Sequence, residues 1–216
     1  MHASVNDAFP TFSQVFEGYV PWMYLDIKGL VTIGIGNLID PESSALSLPF
    51  VDGSGARATP ARISAEWHKL KATPALAKQG HKACKAITEL RLSDHDIDQL
   101  VRRRLTRNEA GLEKVFHEWH EWPADAQLAV LSMAWAMGSG FSAKWPLFTA
   151  ACAARDWQAA AANCRMKETG NPGLVPRNNA NQRLFRNAHE VVVQNLEPSR
   201  LYYPDVVHAP LNHVQV

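Results

Sequence analysis

The sequence predicts an α+β fold, with helices over most of the chain and one small sheet near its start. Three observations carry that reading. Apolar residues recur at helical spacing, as in Ile97, Leu100, Val101 and Leu105. Residues 19–37 instead gather Tyr, Val, Trp and Ile around the turn signal Asp26-Ile27-Lys28-Gly29. Residues 123–137 are apolar on nearly every side, the pattern of a helix in the middle of a core.

The elements follow in order. Phe9, Phe12 and Phe16 fall at i, i+3 and i+7, with Asp7 as N-cap, Pro10 in the first turn and Gly18 as the stop. The stretch 19–37 reads as a hairpin or small sheet. From Asp40 to Pro60 the chain is rich in Pro, Ser and Gly, which predicts a surface loop. Thr59-Pro60 opens a helix to about Gln79. Ser93-Asp94-His95-Asp96 is a near capping box, and the helix behind it is long enough to link two lobes. Pro123 opens the central helix and Gly138-Ser139-Gly140 ends it. Further helices are expected around 146–154, 156–167 and 178–195. The chain of 216 residues reads as one domain: an N-terminal lobe over about 8–90, a larger helical lobe over about 92–197, and an irregular tail over 198–216.

Composition excludes several classes. Hydrophobic residues make up 46% and charged residues 20%, as in a soluble globular protein. With 22 basic against 21 acidic residues, the net charge of +1 speaks against a nucleic-acid-coating protein and gives no long-range attraction to anionic walls. Cys84, Cys152 and Cys164 fit no metal-ligand spacing and read as buried free thiols made in a reducing compartment. The N-terminus lacks a basic start and an apolar run, so no signal peptide is expected. No apolar run reaches the ~18 residues a membrane span needs. Synthesis in the cytoplasm follows, and action elsewhere would need a carrier.

The chemistry is carried by three residues that mean little singly. A glutamate at a helix end, such as Glu17, is usually a solvated charge. An aspartate before a turn glycine, such as Asp26, commonly bonds its own backbone. Thr32 is an ordinary strand residue. Together they form Glu17-Gly18, Tyr24-x-Asp26 and Gly29-x-x-Thr32-Ile33-Gly34-Ile35-Gly36, with Asp26 nine residues after Glu17 and Thr32 six after Asp26. A helix end and a following hairpin can place two carboxyl groups on opposite walls of one cleft. Glycosidic cleavage needs such a pair, an acid for the leaving oxygen and a carboxylate on the other face of the sugar.

This stretch resembles the start of the phage-type lysozymes, glycoside hydrolase family 24, in which glutamate, aspartate and threonine stand at the same steps. Gly173-Leu174-x-x-Arg177 with Leu184-Phe185 resembles that family's C-terminal lobe, where an arginine opens the last helix and reaches toward the catalytic glutamate. The plain alternative for Arg177 is a surface arginine. Met137-Gly138-Ser139-Gly140-Phe141 looks like the family's turn after the core helix. The resemblance implies a lysozyme-like fold, a small lobe with a β-hairpin sheet and a larger helical lobe joined by a long helix. It implies a muramidase cutting the β-1,4 bond between N-acetylmuramic acid and N-acetylglucosamine. Glu17 would be the acid, Asp26 the stabilising carboxylate and Thr32 the positioner of water, with Gly36, Asn37 and Arg177 in contact with substrate. No cofactor or metal is implied. The partners expected are peptidoglycan strands and, in one setting, an immunity protein or a secretion-machine component. Neither nucleic acid nor membrane is among them, and a monomer is expected. The setting is either a phage endolysin released through a holin or an antibacterial toxin, acting in the periplasm or cell wall. The second class of function is a lysozyme-like module that binds glycan without cutting it. Asn37 departs from the family, which carries histidine there in a supporting role, and Asn178 and Asn181 replace residues that are commonly charged. The segment 40–90 is longer than in minimal members and reads as an insertion.

Other features are weighed against plainer readings. His117 and His120 are spaced i, i+3, not the i, i+4 of a helical zinc motif, so Phe116–Trp122 reads as a helix end bearing surface aromatics. Arg102, Arg103, Arg104 and Arg107 read as a solvated face, with wall phosphates or an acidic partner as the alternative. Trp22 and Trp145 suit either stacking on sugar or packing.

Overall fold

The computed structural model describes residues 1–208, and the end of the expected tail, 209–216, lies outside the described residues. The fold is α+β: helices carry most of the chain and three short strands form one antiparallel sheet. The described chain divides into two compact units, Ser13–Arg104 and a second built from Met1–Phe12 with the chain from Leu105 onward. The division falls inside helix α1 (Ala3–Glu17) and inside α5 (Asp94–Leu112), not near residue 91 as expected. The reason lies in α1. Val5 and Phe9 are fully buried, and the Phe9 ring lies 5.1 Å from that of Trp135, so the first half of the helix serves the second unit's core.

The same contacts move the start of α1. It begins at Ala3 rather than at Asp7, which leaves Pro10 inside the helix at the cost of one backbone bond. His2 holds the first turn instead. Its carbonyl accepts from Val5 (3.1 Å) and Asn6 (3.2 Å), and its N–H donates to Gln127 Oε1 at 2.8 Å.

In unit Ser13–Arg104 the strands are β1 (Val20–Leu25), β2 (Val31–Gly34) and β3 (Asn37–Leu38), in that order across the sheet. The Asp26–Gly29 turn closes the first pair, with the Asp26 N–H on Leu30 O at 2.9 Å. Register then sorts the side chains by strand alternation. Met23, Leu25, Val31 and Ile33 are buried on one face, while Tyr24, Thr32 and Leu38 line up on the other.

The stretch 40–60 is no bare surface loop, and the segment 40–90 as a whole is folded. It contains α2 (Glu42–Leu46), α3 (Pro60–Lys71), a 3₁₀ turn (Pro74–Lys78) and α4 (His81–Lys85), and it buries Leu48 and Phe50. Thr59 caps α3, accepting the Arg62 N–H at 3.3 Å. The helix stops at Lys71, short of Gln79, because Pro74 keeps the residue before it out of helical backbone. Two carboxylates tie this segment down. Asp40 accepts from the Val31 N–H (3.1 Å) and from Lys71 Nζ (2.7 Å), joining β2 to α3. Glu66 accepts the N–H groups of Glu89 (2.6 Å) and Leu90 (3.1 Å); burial pushes its pKa up against those donors. Ser93 caps α5 as expected, accepting the Asp96 N–H at 3.1 Å.

In the second unit α6 (Ala124–Met137) is buried from Ala124 to Trp135, the central helix its composition predicts. It packs against α9 (Leu174–Val193), with α7 (Pro146–Ala153) and α8 (Trp157–Asn163) beside them. The last helix starts four residues before the expected 178. Pro176 falls in its first turn, where its missing N–H needs no partner. The Phe116–Trp122 stretch is corrected. Phe116, Trp119 and Trp122 are buried, and their rings run through Trp157 to Phe185. With α5 ended at Leu112, the chain turns through a 3₁₀ segment (Trp119–Glu121) that points every third aromatic inward. The three cysteines are buried free thiols, and no helix among the described residues is long and apolar enough to cross a membrane.

Asp125, fully buried at the start of α6, anchors the described part of the tail. Its carboxylate accepts from the N–H groups of Tyr202 (2.8 Å) and Tyr203 (3.1 Å) and from Asn187 Nδ2 (2.9 Å). Burial pushes its pKa up and the three donors oppose that. Asp125→Ala strands those donors, so urea unfolding should show a loss of about 3 kcal/mol. Proteolysis should then cut residues 198–208 sooner than in the wild type, and an unchanged midpoint would contradict this anchoring role.

Candidate functional site

The sheet-bearing unit brings most of the expected site residues together. Glu17 is the last residue of α1 and is half-buried. Asp26 occupies the β1–β2 turn, where its Oδ1 accepts the N–H groups of Lys28 (2.8 Å) and Leu30 (2.9 Å). The self-bonding habit of a turn aspartate is therefore met by one oxygen. The other, Oδ2, has no hydrogen bond among the described residues. Thr32 is 5% exposed, its hydroxyl donating to Leu30 O at 3.2 Å.

Tyr24 relates these groups to one another. It pairs with Thr32 across β1 and β2. Its pKa is pushed up to about 12, by burial first and then by the negative charges of Glu17 and Asp26. Two carboxylates thus act on one phenol that stands beside the threonine. In the sequence Tyr24 is only a spacing mark, since nothing in a lone tyrosine signals such surroundings.

Gly36 completes the arrangement in the tight turn between β2 and β3. Its φ is +68°, and a Cβ there would lie 3.1 Å from Glu17 Oε2. The turn can approach the carboxyl because no side chain intervenes. Arg104 Nη1 donates to the Gly36 carbonyl at 2.7 Å. This corrects the reading of all four clustered arginines as a solvated face. Arg104 is half-buried against a turn 68 residues earlier, a pairing that local spacing cannot reveal.

Asn37 is placed differently from its expected role in substrate contact. It pairs with Ile33, so alternation puts it on the core face of the sheet, opposite Thr32. It is 3% exposed, and its Oδ1 has no hydrogen-bond partner among the described residues. Arg177 belongs to the other unit. It lies in the first turn of α9, 3% exposed, with Nη1 donating to Ser132 O at 3.1 Å, which rules out the surface-arginine reading. Asn178 is buried beside it and clamps Met166, accepting from its N–H (3.0 Å) and donating to its carbonyl (2.8 Å). Asn181 is fully buried with neither amide atom partnered among the described residues.

A third partner for His120, absent from its local spacing, comes from α5. The ligand atoms of Glu109, Glu113 and His120 lie within 4.8 Å of one another, and His117 is not among them. His120 Nε2 is 2.9 Å from Glu113 Oε1, while Glu109 Oε1 accepts from Trp119 Nε1 at 2.9 Å. These bonds describe an exposed imidazole–carboxylate pair beside a carboxylate already engaged by indole.

The Gly36 geometry is open to test against Gly29, which has φ +75° but nothing within 4 Å of an added Cβ. Either alanine variant carries the left-handed backbone penalty of about 1–2 kcal/mol. Gly36→Ala must in addition displace the Glu17 carboxyl. Its loss in urea unfolding should exceed that of Gly29→Ala, and equal losses would contradict the close approach.

Neither a protein-family model nor a curated protein sequence matches this chain.

Proposed function

We propose that the chain is a muramidase of the phage-lysozyme type, hydrolysing the β-1,4 bond between N-acetylmuramic acid and N-acetylglucosamine in peptidoglycan. One observation carries the proposal: Glu17, Asp26 and Thr32 stand around one strand pair, with Glu17 Oε2 against the Gly36 turn and Asp26 held by Oδ1 at the end of the hairpin that bears Thr32. An acid, a carboxylate and a hydroxyl carried around one strand pair form a minimal set for glycoside hydrolysis.

In this reading Glu17 protonates the leaving oxygen from the end of α1. Asp26, with Oδ1 fixed by two backbone N–H groups, offers Oδ2 to the oxocarbenium-like transition state or to the attacking water. Thr32 orients that water through its hydroxyl. Gly36 leaves room at the Glu17 carboxyl. The lysozyme-like arrangement of a sheet-bearing lobe and a helical lobe linked by a long helix belongs to the same proposal. The division between units inside α5 supports it. The setting follows from the activity: peptidoglycan in the periplasm or cell wall, reached through a holin or a secretion system.

Product analysis tests the proposal directly. Digestion of purified peptidoglycan should create new reducing ends on N-acetylmuramic acid and free no amino groups, as read by mass spectrometry. Cleavage at the lactyl amide or within a stem peptide would overturn the assignment, and the absence of any cleavage would favour the non-catalytic binding module. Chelation by EDTA should leave the rate unchanged, since two carboxyl groups and water suffice. Loss in EDTA with recovery in zinc would instead implicate the Glu109, Glu113 and His120 group. If water attacks opposite the leaving group, the carboxyl groups stand roughly 6.5–9.5 Å apart and the reaction inverts. NMR of fresh product should then show the α-anomer first, and an initial β-anomer would make Asp26 a nucleophile.

A further inference from the structure

The segment between the sheet and α5 does more than brace it. In the sheet order β1 is an edge strand, and α4 lies along it. Trp22 Nε1 donates to the His81 carbonyl at 3.0 Å, and the Leu25 N–H points to Cys84 Sγ at 3.5 Å. The His81 ring stands 6.1 Å from Trp22 and 6.1 Å from Tyr24. Tyr24 also pairs with Thr32 across β1 and β2, so α4 borders the strand that carries the candidate site.

The charge of this edge is distinctive. Residues 67–88 contain five lysines and no acidic residue, whereas the whole chain has 22 basic and 21 acidic residues, so the remainder is net acidic. Lys78, Lys82 and Lys85 are exposed and form no ion pair among the described residues. Lys85 Nζ lies over the Trp22 ring, 4.9 Å from its centroid, a contact that fixes a cation without neutralising it. Arg91 lies 5.3 Å from the same ring, but its guanidinium is spent on the Leu90 and Thr88 carbonyls. A cluster of unneutralised cations focuses field toward whatever polymer crosses the sheet. An uncharged glycan offers such cations nothing to bind, but a muramyl glycan carries peptide stems that end in carboxylates.

We infer that His81, Lys82 and Lys85, the last held over Trp22, form a subsite for the free carboxylates of the peptide stems carried by the glycan substrate. The inference rests on the muramidase reading for its substrate and on the α4 edge for its location. It makes this segment a reader of peptide-bearing wall.

The test compares kcat/KM on peptide-bearing glycan with that on glycan stripped of its stems by an amidase. For the wild type the ratio should favour the peptide-bearing substrate, mainly through KM. Lys82→Glu with Lys85→Glu should lower that ratio about tenfold, the order expected for reversing two exposed charge contacts. Lys82→Gln with Lys85→Gln should lower it less. Lys114→Glu with Lys144→Glu, an equal charge change on exposed residues of the other unit, should leave the ratio as in the wild type. An unchanged ratio in the Lys82/Lys85 variants, or an equal fall in the Lys114/Lys144 control, would overturn the subsite. If the wild type cleaves neither substrate, the muramidase reading fails and cosedimentation decides the subsite alone. Binding to native peptidoglycan that drops when its carboxylates are amidated, and drops equally in the Lys82/Lys85 variants, supports it. Binding indifferent to both changes overturns it.

Discussion

The end of α1 meets the β2–β3 turn at residue 36, where the missing side chain lets the Glu17 carboxyl lie against the backbone. A Cβ there would lie 3.1 Å from the Glu17 carboxylate, and the φ of +68° is one that other residues adopt only with strain. From that approach the rest of the candidate site follows. Glu17 is held half-buried at a helix end, and Arg104 fixes the turn by its carbonyl. The register of β1 on β2 then sets Thr32 beside Tyr24. Asp26 needs only the backbone of its own turn to be oriented, which is why a hairpin suffices to carry it.

Such a small sheet could not hold this geometry unaided. Three strands of six, four and two residues bury one face, and an isolated sheet of that size is marginal in water. The segment 40–92 supplies the missing support. Asp40 joins β2 to Lys71 of α3, Glu66 fixes the chain at 89–90, and α4 covers the edge of β1. An apparent insertion is thus the brace on which the site depends, and the partly charged character of its anchors suits a position at the rim of a core.

Where the sequence reading held, the signal was local. The sheet, the Thr59 and Ser93 caps, the buried helix α6 and the free thiols all follow from spacing and residue type within a few turns of chain. Where it failed, distant packing had overridden that signal. Pro10 sits inside α1 because Val5 and Phe9 are buried, Phe9 against Trp135 of a helix more than a hundred residues away. Leu48 and Phe50 turned a Pro- and Ser-rich stretch into core, and Phe116, Trp119 and Trp122 left the surface for the same reason. Glu17, Asp26 and Thr32 could be picked out by their steps, and the structure keeps them in one unit. Asn37 could not be placed that way, because which face of a sheet a residue takes depends on register. Tyr24, Arg104 and His81 gave no sign of their neighbourhood, since each acquires it only through the folded chain.

The central claim is that Glu17 is a proton donor to a glycosidic oxygen, and its amide replacement addresses that with the least disturbance. Glu17→Gln preserves shape and volume beside Gly36 while removing the transferable proton. The hydrolysis rate on purified peptidoglycan, measured alongside a urea midpoint to show that the fold persists, should fall by about 10²–10⁴-fold, the contribution of general acid catalysis. A Gln variant that folds normally and keeps most of the wild-type rate would contradict the account.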